Sequence, residues 1–263
     1  MKTRVHLRCS HSLGFTLVEL MVVIMVTIIL ACVVAAGFKT ARLRANQSVS
    51  TTNLRQLATA NLLYVSDNQS YAPATDRTNR IRWHGARTSA AGKFDPEQGY
   101  LSEYFGKSRT VSTCPEFKRF LTDKDSFENG SGGYGYNALY IGGLPENPFK
   151  PNRPANVPDP SNTLMFATTA FAVAGGLQEY PFADPPRSVE VDWELGGPLQ
   201  PSVHFRFNGR ALIAWCDGRV TEERANESAP TNFYGGSNKA VAIGFCGPTE
   251  NNGWWNPRKS ISP

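Results

Sequence analysis

The chain has 263 residues, of which 41% are hydrophobic, 11% aromatic and 19% charged, a globular composition that excludes an intrinsically disordered polymer. Its formal charge is +5, but Lys2, Arg4 and Arg8 lie within the first fourteen residues, so the remainder carries an excess of only two. With no Lys/Arg cluster interleaved with aromatic residues, that excess describes a solvated surface and argues against nucleic acid as a partner.

Residues 1–13, MKTRVHLRCSHSL, form a short basic and polar leader. From Phe15 to Phe38 runs an apolar segment of about 24 residues, ~36 Å as an α-helix, which is enough to cross a hydrocarbon core. Basic residues precede it, but Lys39, Arg42 and Arg44 follow it, so the charge asymmetry across the segment is weak. It is too long for the h-region of a cleaved secretory signal, and ACVVAAGF at 31–38 is only a partial cleavage site. Glu19 is the one charged side chain within it. A carboxylate at the centre of a bilayer costs about 2.5–3.5 kcal/mol on insertion scales, and neither a plain anchor nor a cleaved signal gives a reason for it.

GFTLVEL, at 14–20, resembles the cleavage and methylation site of type IV prepilins and type II secretion pseudopilins. The resemblance implies that a dedicated peptidase cuts after Gly14 and that the new N-terminal Phe15 is N-methylated. It also implies that Glu19, the fifth residue of the mature chain, pairs with an N-terminal amine. The leader's charges lie at Arg8, Arg4 and Lys2 rather than directly before Gly14, where relatives often carry Lys or Arg. An α-amino group with pKa near 8 is largely cationic at neutral pH. Phe15 and Glu19 stand four apart, on one helix face. The amine of the same subunit, or of its neighbour in a filament, could therefore neutralise a carboxylate that is costly alone.

Beyond Phe38 the helix is expected to continue through residues 39–70 as an amphipathic half. Leu54, Leu57, Ala58, Leu62 and Val65 recur at helical spacing, and the pattern ends near Asn68, before Pro73. RANQSVSTTN, at 44–53, is polar and rich in Ser and Thr and admits a kink. The NLRQL run with Tyr64, Asp67, Asn68 and Tyr71 resembles the stretch that follows the membrane half in secretion-type pilins, which favours one continuous helix.

Residues 73–113 read as irregular, with GYLSEYF (99–105) as one short helix candidate. STCPEF is followed by GGYGYN, which reads as a turn feeding a strand because Gly allows positive φ. A Cys-Pro, a Tyr-Gly-Tyr-Asn and a late Asp-Gly in this order resemble the head of a large pseudopilin-like group. PENPFKPNRPANVPDPSNT reads as a proline-rich surface loop and NTLMFATTAF as a buried strand. Relatives often carry an Asp near the end of that strand; Thr168 and Thr169 stand here, so no acidic function carries over.

VHFRFNGRALIAWCDGRVTE holds Asn208-Gly209 and Asp217-Gly218, each suited to a two-residue type I′ turn. Three antiparallel strands are expected at 203–207, 210–216 and 219–223. Val203, Phe205, Phe207, Leu212, Ala214 and Cys216 would then face the long helix, with His204, Arg206, Ile213, Trp215 and Val220 on the other side. The group's histidine, separated from the Asp-Gly by nine intervening residues, is replaced by Phe207, with His204 displaced by three. KAVAIGFC, 239–246, is the expected last strand.

Chemistry-bearing residues are few. His84 and His204 are the only candidates for acid–base work outside the leader, and neither sits in a nucleophile motif. Asp184, Glu190, Asp192 and Glu194 form an acidic stretch without EF-hand spacing. Trp83, Trp193, Trp254 and Trp255 are candidates for a glycan-binding groove. Cys9 lies in the leader and Cys32 in the apolar run. Outside the cytoplasm, Cys114, Cys216 and Cys246 allow one disulfide of undetermined pairing. No Cys/His spacing suggests zinc.

The resemblance implies an α+β, pilin-like fold in which a long helix, transmembrane and then amphipathic, packs on an antiparallel sheet. The expected divisions are a leader at 1–14, an assembly helix at 15–38, its continuation at 39–70 and an extracytoplasmic head at 71–263. It implies a non-enzymatic filament subunit, with no cofactor or metal, held by one span in the inner membrane before assembly. Its partners would be a prepilin peptidase/N-methyltransferase, other pilin-like subunits, an inner-membrane assembly platform and the lipid bilayer. The alternatives are a membrane-tethered glycan-binding module exported by the same signal and, disfavoured by the histidine inventory, an anchored hydrolase.

Overall fold

The computed structural model describes residues 14–121, 128–189, 195–198, 200–227 and 235–258. The chain divides into two compact units, Met1–Arg44 and Ala45–Pro263. One α-helix, α1 (Leu17–Asn68), belongs to both. The strands are β1 (Ile81–Arg82), β2 (Gly85–Ala86), β3 (Tyr134–Tyr136), β4 (Leu164–Thr168), β5 (Phe171–Val173), β6 (Gly176–Gln178), β7 (Arg187–Val189), β8 (Leu195–Pro198), β9 (Val203–His204), β10 (Arg210–Trp215), β11 (Val220–Glu227) and β12 (Ile243–Cys246).

In the first unit α1 is long and apolar enough to cross a bilayer, and none of that stretch is buried in the protein. Phe15, Met21, Leu30, Val34 and Phe38 are all exposed. A run so apolar on every side finds no core to cover it.

In the second unit α1 is amphipathic as its spacing requires. Leu54, Leu57 and Ala58 are buried, while Leu62 and Val65 are half-buried. The Ser/Thr-rich 44–53 stretch is helical throughout. Its polar residues form a stripe with a purpose. Asn46, Ser50 and Asn53, spaced four and three apart, meet the segment 112–116. Asn46 Nδ2 donates to Glu116 Oε2 (2.8 Å), Ser50 Oγ contacts Cys114 Sγ (3.1 Å), and Asn53 Nδ2 donates to Ser112 O (3.2 Å) and Tyr134 Oη (3.1 Å). The helix ends at Asn68, and Gln69 leaves it with φ 58°.

The main sheet has six strands in the order β3-β4-β10-β11-β12-β9, every pair antiparallel. Two cross-strand rows face α1. Tyr134, Thr168 and Leu212 form one; Tyr136, Phe166 and Ala214 form the other. Tyr136 stacks on Phe166 at 4.6 Å and donates its hydroxyl to Ala72 O (3.0 Å). Behind the sheet lies a second core that includes Leu164, Ala167, Val203, Phe205, Ala211, Ile213, Trp215, Phe245 and Trp255. The sheet curls around this core, because Val203 of β9 also bridges Thr169 just past β4.

The expected 203–223 meander is corrected here. β9 pairs with β12 through His204↔Ile243 and Val203↔Gly244, not with β10. Only Phe207↔Arg210 joins the two flanks of Asn208-Gly209. The alternation breaks at residues 205 and 206, which lie outside the strand. Val203 and Phe205 therefore share a core with Ala211, Ile213 and Trp215 rather than with Leu212 and Ala214. Asn208 and Gly209 both take positive φ, 51° and 75°, as a type I′ turn needs. At the second turn only Gly218 does (φ 87°), and its N–H donates to Trp215 O (2.9 Å). That is a type I turn with a glycine bulge. KAVAIGFC is a strand only from Ile243, because Ala242 sits at φ 54°.

Other expectations hold in place. GYLSEYF overlaps a 3₁₀ segment at Ser102–Ser108, and NTLMFATTAF supplies the fully buried β4 before breaking at Thr169. GGYGYN is a turn into β3, with Gly132 at φ 67° and Gly133 at φ 80°. Its asparagine closes that strand: Asn137 Nδ2 donates to Leu164 O and Trp255 O, both at 2.9 Å.

Candidate functional site

The most distinctive local chemistry lies at the start of α1. Thr16 is the residue before the helix, and its backbone N–H (2.9 Å) and hydroxyl (2.8 Å) both donate to Glu19 Oε2. The Glu19 N–H returns a bond to Thr16 Oγ1 (3.2 Å). This is a capping box, in which two residues three apart satisfy each other's orphan donors. It provides Glu19 with polar company in an apolar run without any second chain. Gly14 and Phe15 lie just before it, exposed, with Phe15 at 83%. The Thr-x-x-Glu spacing at 16–19 was available in the sequence, and Thr16 is the functional candidate that reading missed.

The two histidines occupy other surroundings. His84 is fully buried, edge-on to Trp83 (5.0 Å) and tilted on Phe94 (4.8 Å), with neither ring nitrogen hydrogen-bonded to protein. Burial first, then the Arg82 and Arg87 guanidinium groups, drive its pKa down to about 3. His204, flanked by Phe117 and Phe120, is held well below the usual range by burial and then by Arg206. Both are neutral imidazoles sealed from solvent, so neither is placed to exchange protons with a ligand.

Buried charge is used to hold loops. Glu179 accepts from Gly130 N (2.8 Å), Gly132 N (3.1 Å) and Ser131 Oγ (3.3 Å), and burial still raises its pKa. Arg206 lies over the Phe117 ring at 4.4 Å, and its Nη2 donates to Thr169 O (2.7 Å) and Gly133 O (3.2 Å). Together they pin the 130–133 loop from two sides. Arg82 is paired with Glu128 in the same style.

The disulfide anticipated among Cys114, Cys216 and Cys246 is not formed; all three are buried thiols. They occupy different environments. Cys114 lies against Ser50 of α1, Cys216 is hydrogen-bonded with Tyr71, and Cys246 sits in the core behind the sheet. Burial, then Glu223, raises the Cys246 pKa well above that of an ordinary thiol.

Of the acidic stretch, Glu190, Asp192 and Glu194 lie outside the described residues. Among the described residues no group of three or more His, Cys, Asp or Glu could hold a metal ion. Asp184 is half-buried, and desolvation raises its pKa to about 6 against a hydrogen bond from Tyr180 that lowers it. A carboxyl whose folded pKa is raised holds its proton to higher pH than in the unfolded chain. Stability should therefore fall as pH rises from about 4 to about 6 and stay reduced above that. Asp184→Asn is expected to flatten this window and to gain about 1–2 kcal/mol at pH 7 in denaturant titrations run across pH. An unchanged pH profile would show that Asp184 is solvated.

Trp83 and Trp255 are fully buried, with indole N–H groups donating to Pro181 O (2.8 Å) and Ala183 O (2.9 Å). Trp254 packs on Trp215 at 5.1 Å, and Trp193 lies outside the described residues. The described tryptophans thus build core, not an open aromatic platform. A cleft of about 440 Å³ runs beside α1, lined by Thr52, Asn53, Gln56, Thr59, Tyr104 and Ser112, among others, with Arg55 its one charged side chain. It holds no nucleophile–base pair. Comparison with protein families, curated proteins and solved structures finds no match to this chain.

Proposed function

We propose that the chain is a pilin-like subunit of a type II secretion pseudopilus or a related type IV pilus-like filament. The observation that carries the reading is the order Gly14, Phe15, Thr16-x-x-Glu19 and then an all-round apolar helix that continues as the amphipathic cover of an antiparallel sheet. A prepilin peptidase cuts after Gly14 and methylates the new Phe15 amine. The subunit waits in the inner membrane with its head in the periplasm. The assembly platform then moves it into a filament, where Phe15–Phe38 packs against copies or related subunits and Glu19 meets an N-terminal amine. Burial of His84 and His204 accords with a role that asks no proton transfer of them.

The mass of the mature N-terminus tests this. The expected product begins at N-methylated Phe15. A mature chain that begins at Met1, or that is cut near Ala36, would remove the basis of the proposal.

A further inference from the structure

Between Glu19 and Asp67 the chain contains no carboxylate, yet it carries Lys39, Arg42, Arg44 and Arg55. The first three sit directly after the apolar run, within six residues of Phe38, ~9 Å along a helix. All three are exposed, and among the described residues none has an ion-pair partner. At 100° per residue Lys39 and Arg42 fall on one side of α1 and Arg44 on the other, so the charge encircles the helix.

A bilayer core of ~30 Å takes about 20 of the 24 apolar residues. The last apolar turn then reaches the headgroup level, and the three side chains have long aliphatic stems that extend toward that layer. No carboxylate of this helix segment is available to neutralise them. The complementary charge at that depth is the lipid phosphate.

We propose that Lys39, Arg42 and Arg44 form a basic collar that binds anionic phospholipid headgroups and selects them over zwitterionic lipid around the helix. The inference rests on the membrane-spanning reading of Phe15–Phe38. Near an anionic surface each such residue is worth about a five-fold preference at low salt, so the collar as a whole should enrich anionic lipid several-fold and lose that enrichment as salt is raised.

The test uses the full chain in nanodiscs of phosphatidylcholine with a minority of phosphatidylglycerol, with protein-bound lipid counted by native mass spectrometry. The wild type should retain phosphatidylglycerol several-fold above its bulk fraction. The triple variant Lys39→Gln/Arg42→Gln/Arg44→Gln should insert equally well but retain several-fold less phosphatidylglycerol than the wild type. The charge-preserving Lys39→Arg/Arg42→Lys/Arg44→Lys should keep the enrichment. The leader, with its own three bases, is identical in all. No enrichment in the wild type, or equal enrichment in the Gln variant, overturns the proposal. Loss of self-association in the Gln variant with lipid retention unchanged would assign the collar to a protein neighbour instead. A wild-type chain that does not enter nanodiscs overturns the membrane reading itself, and is told apart because no lipid at all is retained.

Discussion

Glu19→Leu is expected to leave membrane insertion intact and to abolish filament assembly. Removing the carboxylate lowers the insertion cost, which reaches about 2.5–3.5 kcal/mol only at the helix centre and is smaller in the first turn where Glu19 sits, so the variant should enter the bilayer at least as readily as the wild type. It also removes the group that would meet the Phe15 amine of a neighbouring subunit. Thr16 complicates the interpretation, because Glu19 is also the far member of a capping box whose loss costs the helix start about 1 kcal/mol. Glu19→Gln separates the two roles. Glutamine can sustain the box but carries no charge. If pairing with the amine is what assembly needs, Gln should fail as Leu does; if the cap is what matters, Gln should assemble. Membrane fractionation reports insertion, and cysteine cross-linking or negative-stain microscopy reports assembly. Normal filaments from Glu19→Leu would refute a role for this residue in assembly.

A large loss of stability is expected on substitution of Gly133. Its φ of 80° lies in the left-handed region, and a Cβ built there would lie 2.5 Å from Phe117 Cδ1 and 2.7 Å from Arg206 Nη1. Phe117 is fully buried and cannot yield, while Arg206 is committed to Gly133 O and Thr169 O. Gly133→Ala should therefore combine a left-handed penalty of about 1–2 kcal/mol with an overpacking cost of about 1–3 kcal/mol. The expected loss is about 2–5 kcal/mol by denaturant titration of the detergent-solubilised chain. Gly175→Ala is the control. Gly175 also has positive φ (94°), but a Cβ there meets nothing within 4 Å, so only the backbone penalty of about 1–2 kcal/mol remains. Similar losses at the two sites would show that the 133 loop can move aside.

The elements best read in the sequence were those whose cause is local. The length and apolarity of Phe15–Phe38, the 3.6 period through Leu54, Leu57 and Ala58, and the Asn-Gly pair at 208 each fix their own backbone. Strand order was not legible. Nothing within Val203–Phe207 signals that it pairs with Ile243 rather than with its hairpin neighbour, because that choice is made by the core around Trp215, Trp255 and Phe245, distant in sequence. One irregular residue pair then reversed the faces assigned to half the segment. Ser/Thr richness at 44–53 suggested a kink because propensity counts residue types. What the structure uses is their spacing, which aligns Asn46, Ser50 and Asn53 with the backbone at 112–116. At the N-terminus the resemblance points to Gly14, Phe15 and Glu19, whereas Thr16 belongs to a helix-capping pattern, Thr-x-x-Glu, that is equally legible in the sequence but lies outside the resemblance.

The curl of the six-stranded sheet has a consequence for a protein that would work in rows. β9 is hydrogen-bonded to β12 on one side, and on the other its approach to Thr169 is closed by the Ala170 N–H donating to Ser202 O (2.9 Å). At the opposite margin, Tyr136 of β3 donates to Pro181 O (3.0 Å) and accepts from Ala183 N (2.8 Å). Both outermost strands of this sheet thus have their second row of backbone groups occupied, and neither offers a template for strand addition by a neighbouring copy. Subunits concentrated side by side would otherwise be exposed to edge-to-edge polymerisation, which is self-templating and hard to reverse. With those margins closed, the sheet of one head cannot extend into the next by strand addition, and any contact between heads in such a row would fall to other surfaces.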